Sequence, residues 1–237
     1  MRLKGQIALV TGAGRGIGRA ISLSLASEGA TVILVSRTLT ELDNVQKEIA
    51  SEGGTATPMR SDITQEKDVK ELFAEVRKRF GRLDVLVNNA GIGKFLSVKE
   101  LKVEEFDAMW SLNVRGLFLC TQQAIQFMES QKSGAIVNIS SLAGKNAFVG
   151  GAGYAATKWA LMGFSKCLML EERQFNIRVI TICPGSVDTT FSSQEAESNR
   201  TDKILSPQDV AETVLSAVLM PARAMVSEID IRPTNPK

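Results

Sequence analysis

Tyr154 and Lys158 stand four residues apart in a stretch that reads as helix, so the phenol and the ammonium project from one face, a turn apart. A free tyrosine titrates at about 10, too high to exchange protons readily at neutral pH, and a nearby cation favours the phenolate and lowers that value. The pair can therefore act as one acid/base unit. The chain has no histidine, which removes Ser-His-Asp and Cys-His chemistry together with most zinc sites. Proton transfer must use another side chain, and no metal is expected. A Tyr-Lys pair at this spacing also arises by chance on exposed helices. Here Tyr154 is the only tyrosine, and it follows a strand end, Ile139-Ser140-Ser141, that can supply a hydroxyl to the same crevice.

A second group of residues suits phosphate binding. Thr11-Gly12-Ala13-Gly14-Arg15-Gly16-Ile17-Gly18 lies between a strand-like run and a helix-like one. Glycines there let the backbone turn sharply and approach a pyrophosphate, while the helix start aims free N–H groups at the charge. The spacing is Gly-x-x-x-Gly-x-Gly rather than the general dinucleotide fingerprint, and its position on the first strand of a βαβ pattern gives it weight. Sites that prefer NAD carry an acidic residue about 20 positions on, at the end of the second strand. This chain has Val35-Ser36-Arg37 instead. Arg37 can fork onto a 2′-phosphate, Ser36 can donate a hydroxyl and Arg15 adds charge, so the expected cofactor is NADP(H). The bland alternative is that both arginines are solvated. Asp62, followed by Ile63, is placed to accept from an adenine amino group or else to cap the following helix, a task for which Thr64 is better placed. Asn89, Ala90 and Gly91 end the fourth strand, where small residues let a cofactor lie against backbone.

The elements that must position these groups alternate. Strand-like runs occupy 7–12, 30–36, 55–61, 83–89, 134–140 and 177–183, with helix-like segments near 16–28, 38–51, 65–80, 100–131, 152–174 and 207–219. In the segment at 65–80, Val69, Leu72, Phe73, Val76 and Phe80 recur at helical spacing. Such alternation predicts an α/β fold: a Rossmann-type, doubly wound parallel sheet of about seven strands, helices on both faces, in a single domain spanning 1–237. Its ligand crevice should lie at the carboxyl ends of the strands. The polar stretch 189–206 is long for a loop and reads either as a substrate lid or as plain surface.

Composition narrows the function further. The formal charge of +2 is spread along the chain, so no basic stripe suits nucleic acid. No apolar run approaches a membrane span and the N-terminus lacks a signal-like region, so a cytoplasmic protein is expected. Cys120, Cys167 and Cys183 form no CxxC and sit among apolar neighbours, which suits reduced core residues. Phe95, Phe148, Trp159 and Phe191 either line an apolar pocket or belong to the core.

With these residues in view, the chain resembles the short-chain dehydrogenase/reductase family over nearly its whole length, closest to 3-oxoacyl-(acyl carrier protein) reductases. The resemblance implies hydride transfer between the nicotinamide and a carbonyl or alcohol, with Tyr154 protonating the oxygen. Ser141, rather than Ser140, would polarise that oxygen, and Lys158 would bind the nicotinamide ribose. Asn113 matches the asparagine that holds a relay water near the lysine; on its residues alone it is equally a polar residue bending a helix. Pro184, Gly185, Val187 and Thr189 are similar to the stretch around the nicotinamide amide. The tail from Ser227 to Lys237 departs from the family's glycine-rich ending, which bears on subunit contacts and substrate. A homodimer or homotetramer is implied, the long helices near 100–131 and 152–174 being candidates for the contact. Acyl-thioester, pterin, sugar and ketone substrates all share the motifs, and a sensor that binds NADP(H) without turnover is the competing class.

Overall fold

The structure is a computed structural model that describes residues 1–189, 191 and 204–235. Seven parallel strands form one sheet: β1 (Ile7–Thr11), β2 (Thr31–Ser36), β3 (Thr55–Arg60), β4 (Val85–Asn88), β5 (Gly134–Ile139), β6 (Ile177–Pro184) and β7 (Glu228–Ile231). Their spatial order is β3-β2-β1-β4-β5-β6-β7. After β1 the chain winds outward through β2 and β3, then returns to place β4 on the other side of β1. That reversal opens a crevice between the ends of β1 and β4, where a doubly wound sheet binds its ligand.

Alternate residues of each strand face opposite layers, because successive side chains in a strand point to opposite faces. Ala8 and Val10 of β1 enter a core shared with Ile21 and Leu25 of α1 (Gly16–Ser27), Leu42 and Ile49 of α2 (Leu39–Ser51), and Val210 and Val214 of α7 (Pro207–Val218). Ile7 and Leu9 enter the other core, with Val69, Phe73 and Val76 of α3 (Glu66–Phe80), Phe127 of α5 (Leu117–Gln131) and Leu168 of α6 (Ala152–Glu172). Both faces of the sheet are thus covered, as the continuous apolar strands require. Among the described residues, no helix is long and apolar enough to cross a membrane.

Four details differ from the sequence expectation. The segment 100–131 is not one uniform helix: α4 (Val103–Trp110) runs through a π-helical turn at Ser111–Gly116 into α5. The atypical tail supplies the seventh strand, β7, paired in parallel with Thr181–Pro184 of β6. Cys120 and Cys183 are buried, but Cys167 is exposed, because its position on α6 faces away from the sheet. The backbone N-cap of α3 is Gln65 rather than Thr64, with no side-chain cap. The segment 189–206 falls mostly outside the described residues; its base is closed by a parallel bridge between Val187 and Leu205.

Candidate active site

At the end of β1, Gly12 has φ +66, and a Cβ there would lie 3.0 Å from Ala90 Cα. The turn is therefore pressed against the end of β4, a conformation and contact that favour glycine. A Cβ at Gly18 would meet the Gly12 carbonyl oxygen at 2.1 Å, so the start of α1 can sit beneath the turn only without a side chain. No side chain caps α1 and no acidic residue lies in its first turn. Uncapped N–H groups and bare backbone make the donor set that a diphosphate needs. Ile17 packs against the core and anchors the helix start. Thr189 comes over from the far side of the crevice, its methyl 3.3 Å from where a Cβ of Gly16 would be.

Arg15 and Arg37 are both exposed, and among the described residues neither takes part in an ion pair. Ser36 is occupied locally, its hydroxyl accepting from Thr38 N and donating to Thr38 O, each at 3.2 Å, which fixes the turn that presents Arg37. Asp62 turns its carboxylate inward, accepting from Thr64 N at 3.0 Å and Thr64 Oγ1 at 2.8 Å, so one oxygen is spent on an Asx turn. Ile63 is buried beneath Gly116 of the π turn.

The reaction centre assembles at the ends of β5 and β4. Tyr154 and Lys158 lie in the first two turns of α6, both buried. The Ser141 hydroxyl is hydrogen-bonded to the phenol and also caps a 3₁₀ turn, Leu142–Gly144, by accepting from Ala143 N at 3.1 Å. Ser140 points elsewhere, into the contact between Gly144 and α6. Lys158 Nζ donates to Ile139 O at 2.9 Å and lies 5.7 Å from the Tyr154 ring centroid. Asn113 sits within the π turn, where it accepts from Ile92 N and donates to Ile92 O, both at 2.9 Å, and donates to Thr157 Oγ1 at 3.0 Å. Both of its amide N–H groups and one lone pair of Oδ1 are thus spent on joining the loop after β4 to α6, leaving one acceptor site on Oδ1. Gly91 completes the crevice, with Asn113 Oδ1 at 3.3 Å and Lys158 Nζ at 3.8 Å from an added Cβ. Gly185 N donates to Ile231 O at 2.9 Å, and Pro184 closes β6, so the stretch leading to Val187 and Thr189 is held by β7.

Residues 6–200 match the model of the short chain dehydrogenase family. The chain belongs to the short-chain dehydrogenase family. A sepiapterin reductase of Chlorobaculum tepidum is 35% identical over 236 residues, 97% of this chain and 96% of that protein. An uncharacterized oxidoreductase of Staphylococcus aureus is 37% identical over 231 residues, covering 98% of each. Among solved structures, a metagenomic short-chain oxidoreductase in complex with NADP aligns with TM-score 0.88 at 36% identity, covering 99% of both chains. An alcohol dehydrogenase of the archaeon Thermococcus sibiricus, complexed with 5-hydroxy-NADP, aligns with TM-score 0.91 at 29% identity over 97% of both.

In this short-chain dehydrogenase the electrostatics of the Tyr-Lys pair differ from the simple sequence expectation. Burial pushes the Tyr154 phenol up to about 12, against a smaller downward pull from the Ser141 hydrogen bond. The expected lowering by Lys158 is absent because its ammonium is turned to the Ile139 carbonyl. Burial also brings Lys158 down to about 8. At neutral pH the phenol is therefore held protonated beside a lysine that is still mostly charged.

Several contributors escaped the sequence reading. Thr11 Oγ1 accepts from Asn89 N at 3.0 Å and Ala90 N at 3.1 Å, tying the two halves of the crevice together. Asn89, expected at the cofactor, spends its amide on Thr11 O at 2.9 Å and Gly12 O at 3.3 Å, so it shapes the turn. Arg60 donates to Arg37 O at 3.1 Å and brings a further cation beside it. Glu41 of α2 leans on the turn, its Oε2 2.7 Å from an added Cβ at Gly14. The only early signal for Thr11 and Asn89 was their adjacency to glycine turns; the others are non-local. Of the four aromatic candidates, Phe95, Phe148 and Phe191 gather near Tyr154, whereas Trp159 is 54% exposed and makes no ring contact with them.

Proposed function

We propose that residues 1–237 act as one NADP(H)-binding domain that reduces a carbonyl compound to an alcohol in the cytoplasm, working as a homo-oligomer. The observation that carries this is the clustering of buried Tyr154 and Lys158 with half-buried Ser141 at the strand ends, across the crevice from an uncapped, glycine-lined helix start. Gly12, Gly14, Gly16 and Gly18 would carry the diphosphate. Arg15 and Arg37 would hold a 2′-phosphate, a role open to them because both cations are exposed and unpaired among the described residues. The NADP bound by the metagenomic relative supports the same cofactor here.

When bound, NADPH supplies a hydride. The chain's own residues must then orient the carbonyl and deliver a proton to its oxygen. Burial holds the Tyr154 phenol protonated, with its pKa pushed up to about 12, and it can still donate because the alkoxide that develops as hydride arrives is a stronger base than the phenolate left behind. Ser141, hydrogen-bonded to that phenol, is placed to donate to the same oxygen and stabilise developing negative charge. Lys158, its ammonium donating to the Ile139 carbonyl, keeps a cation beside the phenol and would bind the nicotinamide ribose. Asn113 keeps the loop after β4 and α6 in register with each other.

A sensor would need the phosphate turn and Arg37 but not this clustered Tyr-Ser-Lys group. Replacing Tyr154 by Phe separates the readings: NADPH should bind with unchanged affinity by fluorescence titration, while carbonyl-dependent NADPH oxidation falls by about 10²-fold or more. Near-normal turnover in that variant would overturn the assignment. Among substrates, the pterin reading gains support from the sepiapterin reductase relative.

A further inference from the structure

The phenol is not open to water. Phe95, in the loop after β4, meets the Tyr154 ring edge-on at 5.3 Å between centroids, and Phe191, beyond β6, meets it at 5.7 Å. Phe95 in turn lies 6.5 Å from Phe191 and 5.9 Å from Phe148 of the loop before α6. Three loops thus contribute one phenylalanine each to a rim around a single phenol. Tyr154 is 7% exposed, yet Phe95, Phe148 and Phe191 are 43%, 45% and 39% exposed. These are not core rings. They are apolar faces left in solvent around the point of chemistry.

The backbone is cut away to seat them. An added Cβ at Gly93 would lie 2.8 Å from Phe191 Cε1 and 3.2 Å from Phe95 Cζ, and one at Gly151 would lie 2.5 Å from Phe148 Cε1. The cations flanking the rim are engaged elsewhere: Lys94 pairs with Glu105 at 3.4 Å, and Lys145 with Glu228 and Asp230 of β7. The rim itself therefore offers ring faces, and the two lysines that adjoin it are already paired. Ring pairs at these separations prefer edge-to-face or offset stacking and reward a flat partner beyond simple area burial. An exposed apolar rim around a reactive group marks a ligand surface.

We infer that the substrate is a ketone attached directly to a flat aromatic ring system, which lies against the exposed faces of Phe95 and Phe191 while its carbonyl reaches Tyr154 and Ser141. This rests on the reductase reading above and names its substrate class. The ketone gains one hydride from reduced nicotinamide at carbon and one proton from the phenol at oxygen. The products are NADP⁺ and a secondary alcohol, and solvent returns the proton to Tyr154. A phenyl diketone and a pterin bearing a side-chain ketone both carry the required chemistry.

The test measures kcat/KM with NADPH for a phenyl-substituted 1,2-diketone, a pterin ketone, a matched aliphatic diketone and an acetoacetyl thioester, on the wild type and on Phe95→Ala, Phe95→Leu and Gly93→Ala. Expected is a preference for the aromatic ketones over the aliphatic one that collapses by about tenfold in Phe95→Ala, chiefly through KM, with Phe95→Leu intermediate. Gly93→Ala should weaken the same preference by crowding the rings. The lone tyrosine gives an independent readout. In protein labelled with ¹³C-tyrosine and loaded with NADP⁺, the aromatic ketone should shift the single tyrosine resonance by its ring current, and the aliphatic one should not. Equal or better turnover of the aliphatic diketone or thioester, indifferent to Phe95, would overturn the aromatic assignment and leave the reductase reading standing. Oxidation of NADPH by none of the carbonyls would overturn the reductase reading, and the substrate class with it.

Discussion

Tyr154 and Lys158 are buried in one pocket, and burial moves their pKa values in opposite directions along the pH axis for one reason: each loses water around its charged form. The phenol is held at about 12 and the ammonium at about 8. The linkage signs then differ. For Tyr154 the folded value lies above the ordinary value of about 10, so its contribution is fully present below that value and is lost as pH rises towards 12. For Lys158 the folded value lies below the ordinary value of 10.5, so the unfolded chain binds more protons between about 8 and 10.5, and stability rises with pH across that window. Urea unfolding at a series of pH values should therefore show wild type gaining on the order of a few kcal/mol relative to Lys158→Met between pH 8 and 10.5. A constant difference between the two proteins would show that the lysine is not desolvated as described. Tyrosinate absorbance offers a companion measurement without ambiguity of assignment, because the chain has one tyrosine. In the absence of cofactor it should show no step near the ordinary phenol value, and a step at 9 or below would contradict the burial argument.

At the scale of elements, the crevice is a joint between the ends of β1 and β4, and Thr11 is its fastener. Its hydroxyl serves two backbone N–H groups, of Asn89 and Ala90, and donates to Val87 O at 3.3 Å. Thr11→Val keeps the shape and removes the acceptor, leaving the Ala90 N–H unpaired in the joint while Asn89 N keeps its bond to Val87 O at 3.1 Å. A loss of about 2 kcal/mol in urea unfolding is expected, with weaker NADPH binding, and Thr11→Ser should recover most of both. A Thr11→Val protein as stable as the wild type would mean that water replaces the hydroxyl. This joint also shows what a sequence can and cannot disclose. The strands, the glycine turn and the Tyr-Lys spacing were legible because each is a local pattern of period, turn chemistry or helical phase. The partnership of Thr11 with Asn89 spans 78 residues and leaves no local trace. Nor could spacing show that Asn113 would be absorbed by Ile92, that Lys158 would turn to Ile139, or that Ser36 and Asp62 would spend their polar atoms on their own turns. The aromatic rim was half legible: residue type nominated four rings, and only the loop positions separated Trp159 from the other three.

At the scale of the whole molecule, one helical face carries a cluster of apolar side chains. Where α4, the π turn and α5 pass beside α6, Trp110, Val114, Leu117, Phe118, Leu161 and Phe164 line a hollow of about 510 Å³ on the side away from the sheet. Phe118 is 44% exposed there, packed edge-on against Phe164 at 6.3 Å. Gly163 and Cys167 are exposed along α6, small residues that let another helix approach closely. A face of this kind pairs most simply with itself, since a two-fold axis brings the same patch from two copies into contact and closes the assembly. The Phe118 ring of one copy would then enter the hollow of its partner. The consequence for the site is direct, because the π turn that carries Asn113 forms part of the hollow's wall, so pairing would stiffen the element that ties the loop after β4 to α6. Sedimentation equilibrium of the wild type should give at least twice the 25.6 kDa chain mass at micromolar concentration. Phe118→Asp should shift the protein to the monomer while leaving its fold intact by circular dichroism, since the substituted side chain is largely in solvent. Its specific turnover should be lower and independent of concentration, whereas that of the wild type should fall on dilution as the assembly dissociates. A wild type that sediments as a monomer, or a Phe118→Asp variant that stays assembled, would show that this face is covered in some other way.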